Sequence, residues 1–231
     1  MTETAQRLAA LETRIAAACL RAGRPREAVQ LVLVSKTVAL ETLLAAHTAG
    51  ARIFGENKAQ ELKQKASQWP ASAAAPEWHF IGHLQSNKIK DVLPWIRLLH
   101  SLDRPSLAEK LSQALQQRGQ TLPVLVQVNT SAESSKSGVP PAEALGFMQQ
   151  VSQLPGLSLQ GLMTIGPLGT DEATTRQCFR QLRQLQQAGR EALNLPLNSL
   201  SMGMSGDFEW AIEEGATLIR VGSAVFGPRQ P

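Results

Sequence analysis

Lys36 ends the run Leu31-Val32-Leu33-Val34-Ser35, and an amine at the tip of an apolar, β-branched segment is placed for covalent chemistry. Burial disfavours the ammonium form, and the neutral amine attacks carbonyl groups. Taken alone, the segment fits a lysine whose stem snorkels out of a strand end better than it fits a reactive one. Further polar groups follow later β-rich runs in the same way. They are Gly55-Glu56-Asn57, Gly82-His83, Ser101 with Asp103, Asn129 with Lys136 a few residues on, Met163-Thr164, Ser201-Met202-Gly203-Met204-Ser205-Gly206 and Arg220-Val221-Gly222-Ser223. The last two segments suit an anion, because glycines let backbone N–H groups approach it and hydroxyls donate to it. Either glycine-bearing loop alone is equally a tight turn; the two together carry the reading. Asn57 reads equally as a helix N-cap, His83 as a surface or capping histidine, and Arg220 as a salt-bridged strand-end residue. His79, His83, Glu56 and Asp103 lack a compact ligand spacing, so no metal site is expected.

These groups need elements that bring them to one place. β-rich runs fall at 30–34, 51–54, 78–81, 97–101, 124–129, 159–164, 200–203 and 218–222. Helical patterns lie between them at 40–49, 58–68, 86–93, 106–117, 141–153, 171–193 and 206–214. Residues 1–22 form an additional amphipathic helix, with Leu8, Leu11, Ile15 and Cys19 near one stripe. Alternating strands and helices imply right-handed βαβ units and a parallel sheet. Eight units in this length predict an α/β fold, a closed (β/α)8 TIM barrel that spans 1–231 as one domain. Residues just after each strand then meet on one face. The Pro- and Ala-rich stretch 69–76 reads as a βα connection.

Composition narrows the function classes. The chain has 231 residues, 43% of them hydrophobic, with no run long enough to span a membrane. Residues 1–22 carry charges of both signs and do not read as a signal peptide. Cys19 and Cys178 share no pairing or ligand spacing, which predicts buried thiols and a cytoplasmic location. The net charge of +4 is scattered and aromatics make up 4%, so no nucleic-acid partner is expected. There is no tyrosine at all.

A phosphate cup after strands 7 and 8, opposite a strand-end lysine, suits an aldehyde-bearing phosphate compound. Pyridoxal 5′-phosphate (PLP) fits: its aldehyde can condense with Lys36 while its phosphate sits in the cup. Arg220 then faces the pyridine nitrogen, where a cation disfavours ring protonation and weakens the ring as an electron sink.

The segments Val34-Ser35-Lys36-Thr37, Phe54-Gly55-Glu56-Asn57, 79–88, Lys136-Ser137-Gly138, Gly161-Leu162-Met163-Thr164, Ser201-Met202-Gly203-Met204-Ser205 and Arg220-Val221-Gly222 resemble the YggS/PROSC family of PLP-binding homeostasis proteins over essentially the whole chain. The resemblance implies a fold type III barrel like the N-terminal domain of alanine racemase. It also implies PLP held as a Schiff base on Lys36, and a role in buffering or delivering PLP to keep vitamin B6 pools balanced. On that basis Arg220 is the ring-nitrogen partner, and Ser201, Gly203, Gly222 and Ser223 hold the phosphate. With Asn57, His83, Met163 and Ser205 these make up the expected cofactor-binding residues, and no catalytic residue is assigned. Two positions depart from the family pattern: Val38 where many relatives carry a second lysine, and Lys58 where a tyrosine often follows Gly-Glu-Asn. If a second lysine passes PLP onward, Lys136 is the candidate.

Two rivals remain beside this carrier. A PLP-dependent amino-acid racemase needs a second base opposite the lysine, usually a tyrosine, and this chain has none; nor does the barrel reading leave residues for a C-terminal β-domain. A sugar-phosphate aldolase or isomerase would use Lys36 on a substrate carbonyl and would be colourless. The expected partners are PLP and PLP-dependent apo-enzymes as recipients. The expected state is a monomer.

Overall fold

Eight parallel strands close on one another in chain order: β1 (Gln30–Val34), β2 (Ile53–Glu56), β3 (Glu77–Phe80), β4 (Ile96–Leu102), β5 (Leu122–Gln127), β6 (Leu157–Met163), β7 (Ser199–Ser201) and β8 (Leu218–Val221). This computed structural model describes residues 2–131, 133, 136–167, 169 and 171–227; Met1 and 228–231, the ends of the expected 1–231 span, lie outside them. The seam closes by β1–β8 pairing, with Gln30 opposite Leu218 and Val32 opposite Arg220. The helices are α1 (Glu3–Arg21), α2 (Leu40–Thr48), α3 (Ala59–Ser67), α4 (Ile89–Val92), α5 (Pro105–Arg118), α6 (Ala144–Ser152), α7 (Glu172–Leu193), α8 (Phe208–Glu213) and α9 (Ser223–Phe226). The chain is therefore the (β/α)8 TIM barrel that the alternation predicts, with α1 added at its start.

Side chains alternate across a strand, so each strand sends one set inward and the other toward the helices. Val32, Ile53, Leu98, Leu125, Met163 and Leu218 form a small apolar layer of their own. Leu33, Phe54, Leu99, Val126, Leu162 and Ile219 belong to the larger core packed under the helices. The inner layer fixes parity: two residues beyond Leu98 and Leu218 come His100 and Arg220, on the same inward face. Α1 fits the stripe read from sequence, burying Leu8, Leu11, Ile15 and Cys19, and Thr2 caps it by accepting from Ala5 N–H.

Element boundaries differ where local hydrogen bonding decides them. The second strand starts at Ile53 rather than at residue 51 and runs on to Glu56. Ala51 N–H is taken by Ala46 C=O and Gly50 N–H by His47 C=O, a Schellman-type stop to α2. The seventh strand ends at Ser201, so Gly203 lies in the loop beyond it. The helix expected over 86–93 is a 3₁₀ turn, Ser86–Lys88, followed by one turn of α-helix. Α9 was not expected; it is a single turn starting at Ser223.

Candidate functional site at the barrel mouth

Lys36 follows β1 by two residues and is half-buried. It lines a cleft of about 300 Å³ with Val34, Thr37, Thr42, Gly222, Ser223 and Phe226. The ends of β1 and β8 are neighbours in the barrel, which is why residues so distant in sequence share one wall. Ser205 joins the same loop system: its hydroxyl accepts from Gly222 N–H at 3.4 Å. Gly203 has a φ of 92°, and a Cβ there would lie 2.5 Å from Ala211 Cβ, so only glycine lets this loop pass so close to α8. Asp207 Oδ1 accepts from Met204 N–H and ties the loop to the start of α8.

Arg220 points inward from β8 and is only 5% exposed. It donates to Ser201 Oγ at 2.6 Å and to Thr164 C=O at 2.8 Å. Burial lowers its pKa to about 10, Asp207 opposing, and it remains a cation at neutral pH. That cation sets the direction of a buried hydrogen-bond chain. Ser201 Oγ accepts from Arg220, so its own proton goes to His100 Nδ1, 2.8 Å away. His100 then carries its proton on Nε2 and donates it to His79 Nδ1 at 2.9 Å. Both histidines are neutral at pH 7, since burial lowers His79 to about 4 and, with the repulsion a protonated His79 and Arg220 would exert, takes His100 well below its ordinary value.

The other expected residues are placed differently. Asn57 and His83 line a second cleft of about 290 Å³, with Lys58, Gln85 and Lys88. Asn57 does not cap α3; Lys58 occupies that position without a side-chain cap bond, and Asn57 Oδ1 is buried with no partner. His83 is half-exposed and its Nδ1 lies 3.0 Å from Asp103 Oδ2. Met163 is fully buried in the inner apolar layer. Lys136 pairs with Glu133 and donates to Gly166 C=O. Among the described residues, no group of three His, Cys, Asp or Glu side chains could hold a metal ion. A cleft of about 400 Å³ lies at the far end, beneath α1 and the starts of β1 and β2, away from all of these groups.

A second polar cluster escaped the sequence reading. Glu56 Oε1, fully buried, accepts from Ser35 Oγ at 2.6 Å and from Lys65 Nζ at 2.7 Å. Burial pushes the Glu56 carboxyl up to about 7, with the Lys65 and Ser35 hydrogen bonds opposing. A carboxyl that titrates near 4.5 unfolded and near 7 folded binds its proton more tightly in the native state. Stability from this group is therefore full below the unfolded value and is lost as pH rises to 7. The window spans 7 − 4.5 pH units and corresponds to at most about 3 kcal/mol. His79 and His100 act in the opposite sense, losing stability as pH falls below their unfolded value. Urea unfolding of wild type and Glu56→Gln between pH 4.5 and 8 separates them. The wild-type advantage over the variant should shrink as pH rises; a constant difference would show that Glu56 does not titrate in this window.

Eight parallel strands closed in order, with a lysine after β1 and glycine-serine loops after β7 and β8, define a (β/α)8 barrel with a lysine-bearing cleft at its mouth. The family model of the alanine racemase N-terminal domain matches residues 7–230. A pyridoxal phosphate homeostasis protein of Aquifex aeolicus is 39% identical over 97% of this chain and 98% of its own length. That of Vibrio cholerae is 42% identical over 99% and 98%. The PipY protein of Synechococcus elongatus, solved with PLP bound, is 36% identical, superposes with a TM-score of 0.84, and is matched over 97% of this chain and 100% of its own. The chain belongs to the pyridoxal phosphate homeostasis protein family, within the alanine racemase N-terminal domain fold.

Proposed function

We propose that this chain binds PLP covalently through Lys36 and serves PLP homeostasis as a carrier or buffer, without sustained turnover of amino acids. The observation that carries the reading is the shared cleft of Lys36, Gly222 and Ser223, beside the buried Arg220. Its volume of about 300 Å³ lies at the lower end for small-molecule sites. Relatives named for PLP homeostasis and the PLP-bound PipY structure support it. PLP supplies an aldehyde, which condenses with an amine to a C=N bond and releases water. Lys36 provides that amine. Ser205, Ser223 and the backbone at Gly203 and Gly222 provide the phosphate cup. Arg220, held by Ser201 and Thr164, would be the partner of the ring nitrogen, where its charge would disfavour protonation of the ring. The Ser201 hydroxyl is already committed to Arg220 and His100, so its part is to orient that arginine. Asn57, His83 and Met163, also expected to bind the cofactor, line no part of the Lys36 cleft: Asn57 and His83 stand at the second cleft and Met163 is buried beneath. Residues 1–231 act as one unit in this reading.

The carrier reading gains from how the histidines are used. Both ring nitrogens of the buried His100 are engaged, and His79 Nδ1 is an acceptor within the barrel. With no tyrosine in the chain, the usual second base of a racemase is missing. The rival racemase reading would need a histidine or serine as its second base, and the exposed His83 is held by Asp103 at the edge of a different cleft. No helix among the described residues is long and apolar enough to cross a membrane. Cys19 and Cys178 are buried free thiols, which suits the reducing cytoplasm. In this reading the chain is a cytoplasmic monomer that hands PLP to apo-enzymes, without nucleic-acid or membrane partners.

The test is borohydride reduction of the protein with PLP, followed by peptide mass analysis. One pyridoxyl phosphate should be found, on the peptide containing Lys36. A colourless protein that refuses added PLP would sink the proposal.

A further inference from the structure

The turn after β1 is held in a conformation its sequence disfavours. Thr37 has a φ of 63°, in the left-handed region that a β-branched side chain enters only under constraint. The constraint comes from α3. Glu61 Oε2 accepts from Thr37 N–H at 2.9 Å. Lys65 Nζ donates to Ser35 C=O at 2.7 Å, to Glu61 Oε2 at 3.1 Å and to Glu56 Oε1 at 2.7 Å. One ammonium thus joins the carbonyl just before Lys36 to the carboxylate that grips the amide just after it. Glu61 and Lys65 at i,i+4 would ordinarily form a solvated pair of small effect. Here Lys65 is 8% exposed, and its three acceptors come from three different elements. Neither Glu61 nor Lys65 lines the cleft that Lys36 shares with Gly222 and Ser223.

We propose that Glu61 and Lys65 are positioning residues, a clamp from α3 that bends the Ser35–Thr37 turn and thereby directs the Lys36 side chain into that cleft. The proposal deepens the PLP reading and rests on it only for the identity of the ligand. Ordering the anchor before the ligand arrives reduces the entropy lost on binding, so its removal should appear in affinity as well as in local mobility.

The test compares wild type with Glu61→Ala, Glu61→Gln and the double variant Glu61→Ala/Thr37→Gly. Glu61 is on the surface side of the cluster, so Lys65 keeps Ser35 and Glu56 when it is removed. Two readouts are needed: amide hydrogen exchange at Thr37 without PLP, and a PLP titration followed by visible absorbance. Glu61→Ala should speed exchange at Thr37 by about tenfold or more. It should also weaken PLP binding by about tenfold. Glu61→Gln retains an oxygen acceptor for Thr37 N–H and should restore both. Glycine adopts positive φ without steric cost, so Thr37→Gly should recover part of the lost affinity. A merely structural role would lower the melting temperature without selective exchange at Thr37 and without rescue by glycine, and that pattern would overturn the clamp. A folded Glu61→Ala with unchanged exchange at Thr37 would overturn it as well. If the wild-type chain takes up no PLP, the cofactor reading falls, and exchange at Thr37 alone still decides the clamp.

Discussion

Lys36→Ala is expected to remove the borohydride-trapped adduct completely and to lower PLP affinity by about a hundredfold, or about 3 kcal/mol. The non-covalent contacts stay in place, because Arg220 is held by Ser201 and Thr164 and the Gly222 amide by Ser205, none of which depends on the lysine. Residual binding through phosphate and ring, with the spectrum of the free aldehyde and no trappable adduct, is therefore the expected phenotype, not loss of the fold. Lys36 is half-buried beyond the end of β1, so its truncation should cost about 1 kcal/mol or less in urea unfolding. Titration with PLP at fixed protein, read by visible absorbance and by equilibrium dialysis, separates covalent from total binding. A variant that still yields a borohydride-trapped adduct at wild-type affinity, on another lysine, would displace Lys36 from the role. The same pair of proteins separates carrier from catalyst. With L-amino acids in deuterated water, wild type should exchange α-protons no faster over many turnovers than the alanine variant. Sustained exchange in wild type alone would restore the racemase reading.

The sequence made the barrel readable because its two periodicities rarely conflict. Buried β-branched runs recur at spacings that admit one helix each, and the parallel sheet follows. The second run was misread at its start, where Ala51 gives its N–H to a helix stop whose geometry depends on Gly50. The loops after β7 and β8 were legible as a pair because topology places successive strand ends side by side. The buried wiring behind them was less so. His100 stands alone in Leu98-Leu99-His100-Ser101, and a polar side chain in a buried strand was a usable signal that something inside the barrel receives it. Its partner could not be named, because Ser201 lies 101 residues further on and meets it only when the barrel closes. Lys65 offered no signal at all. On α3 it reads as half of a surface Glu-Lys pair, and only the packing of that helix against the ends of β1 and β2 turns it inward to Glu56 and Ser35.

The largest stability effect is expected at Gly161, in a segment whose resemblance to relatives suggested a ligand contact. Gly161 has a φ of 153°, and a Cβ built there would lie 1.9 Å from the Ser199 carbonyl oxygen. The β5–β6 register shifts at this point, with Leu159 opposite Val124 but Gly161 opposite Leu125. The glycine thus marks a bulge, where a strand absorbs one extra residue and turns its neighbours. Beyond it, Leu162 pairs with Leu200 and Met163 with Ser201, so the bulge sets the register of β7 and the inward aim of the Ser201 hydroxyl toward Arg220. Gly161→Ala should cost about 3–5 kcal/mol, the sum of backbone strain and a clash with rigid main chain. Urea unfolding should show it as a lower midpoint at unchanged slope. Gly146→Ala is the control: it lies in α6 with nothing within 4 Å of an added Cβ, and should be stabilising by about 0.5–1 kcal/mol. Because a register slip of one residue sends every side chain to the other face, the folded fraction of Gly161→Ala should also bind PLP more weakly than wild type. Equal midpoints for Gly161→Ala and wild type would mean that β6 and β7 tolerate a shift, and the orientation of Arg220 would then need another cause.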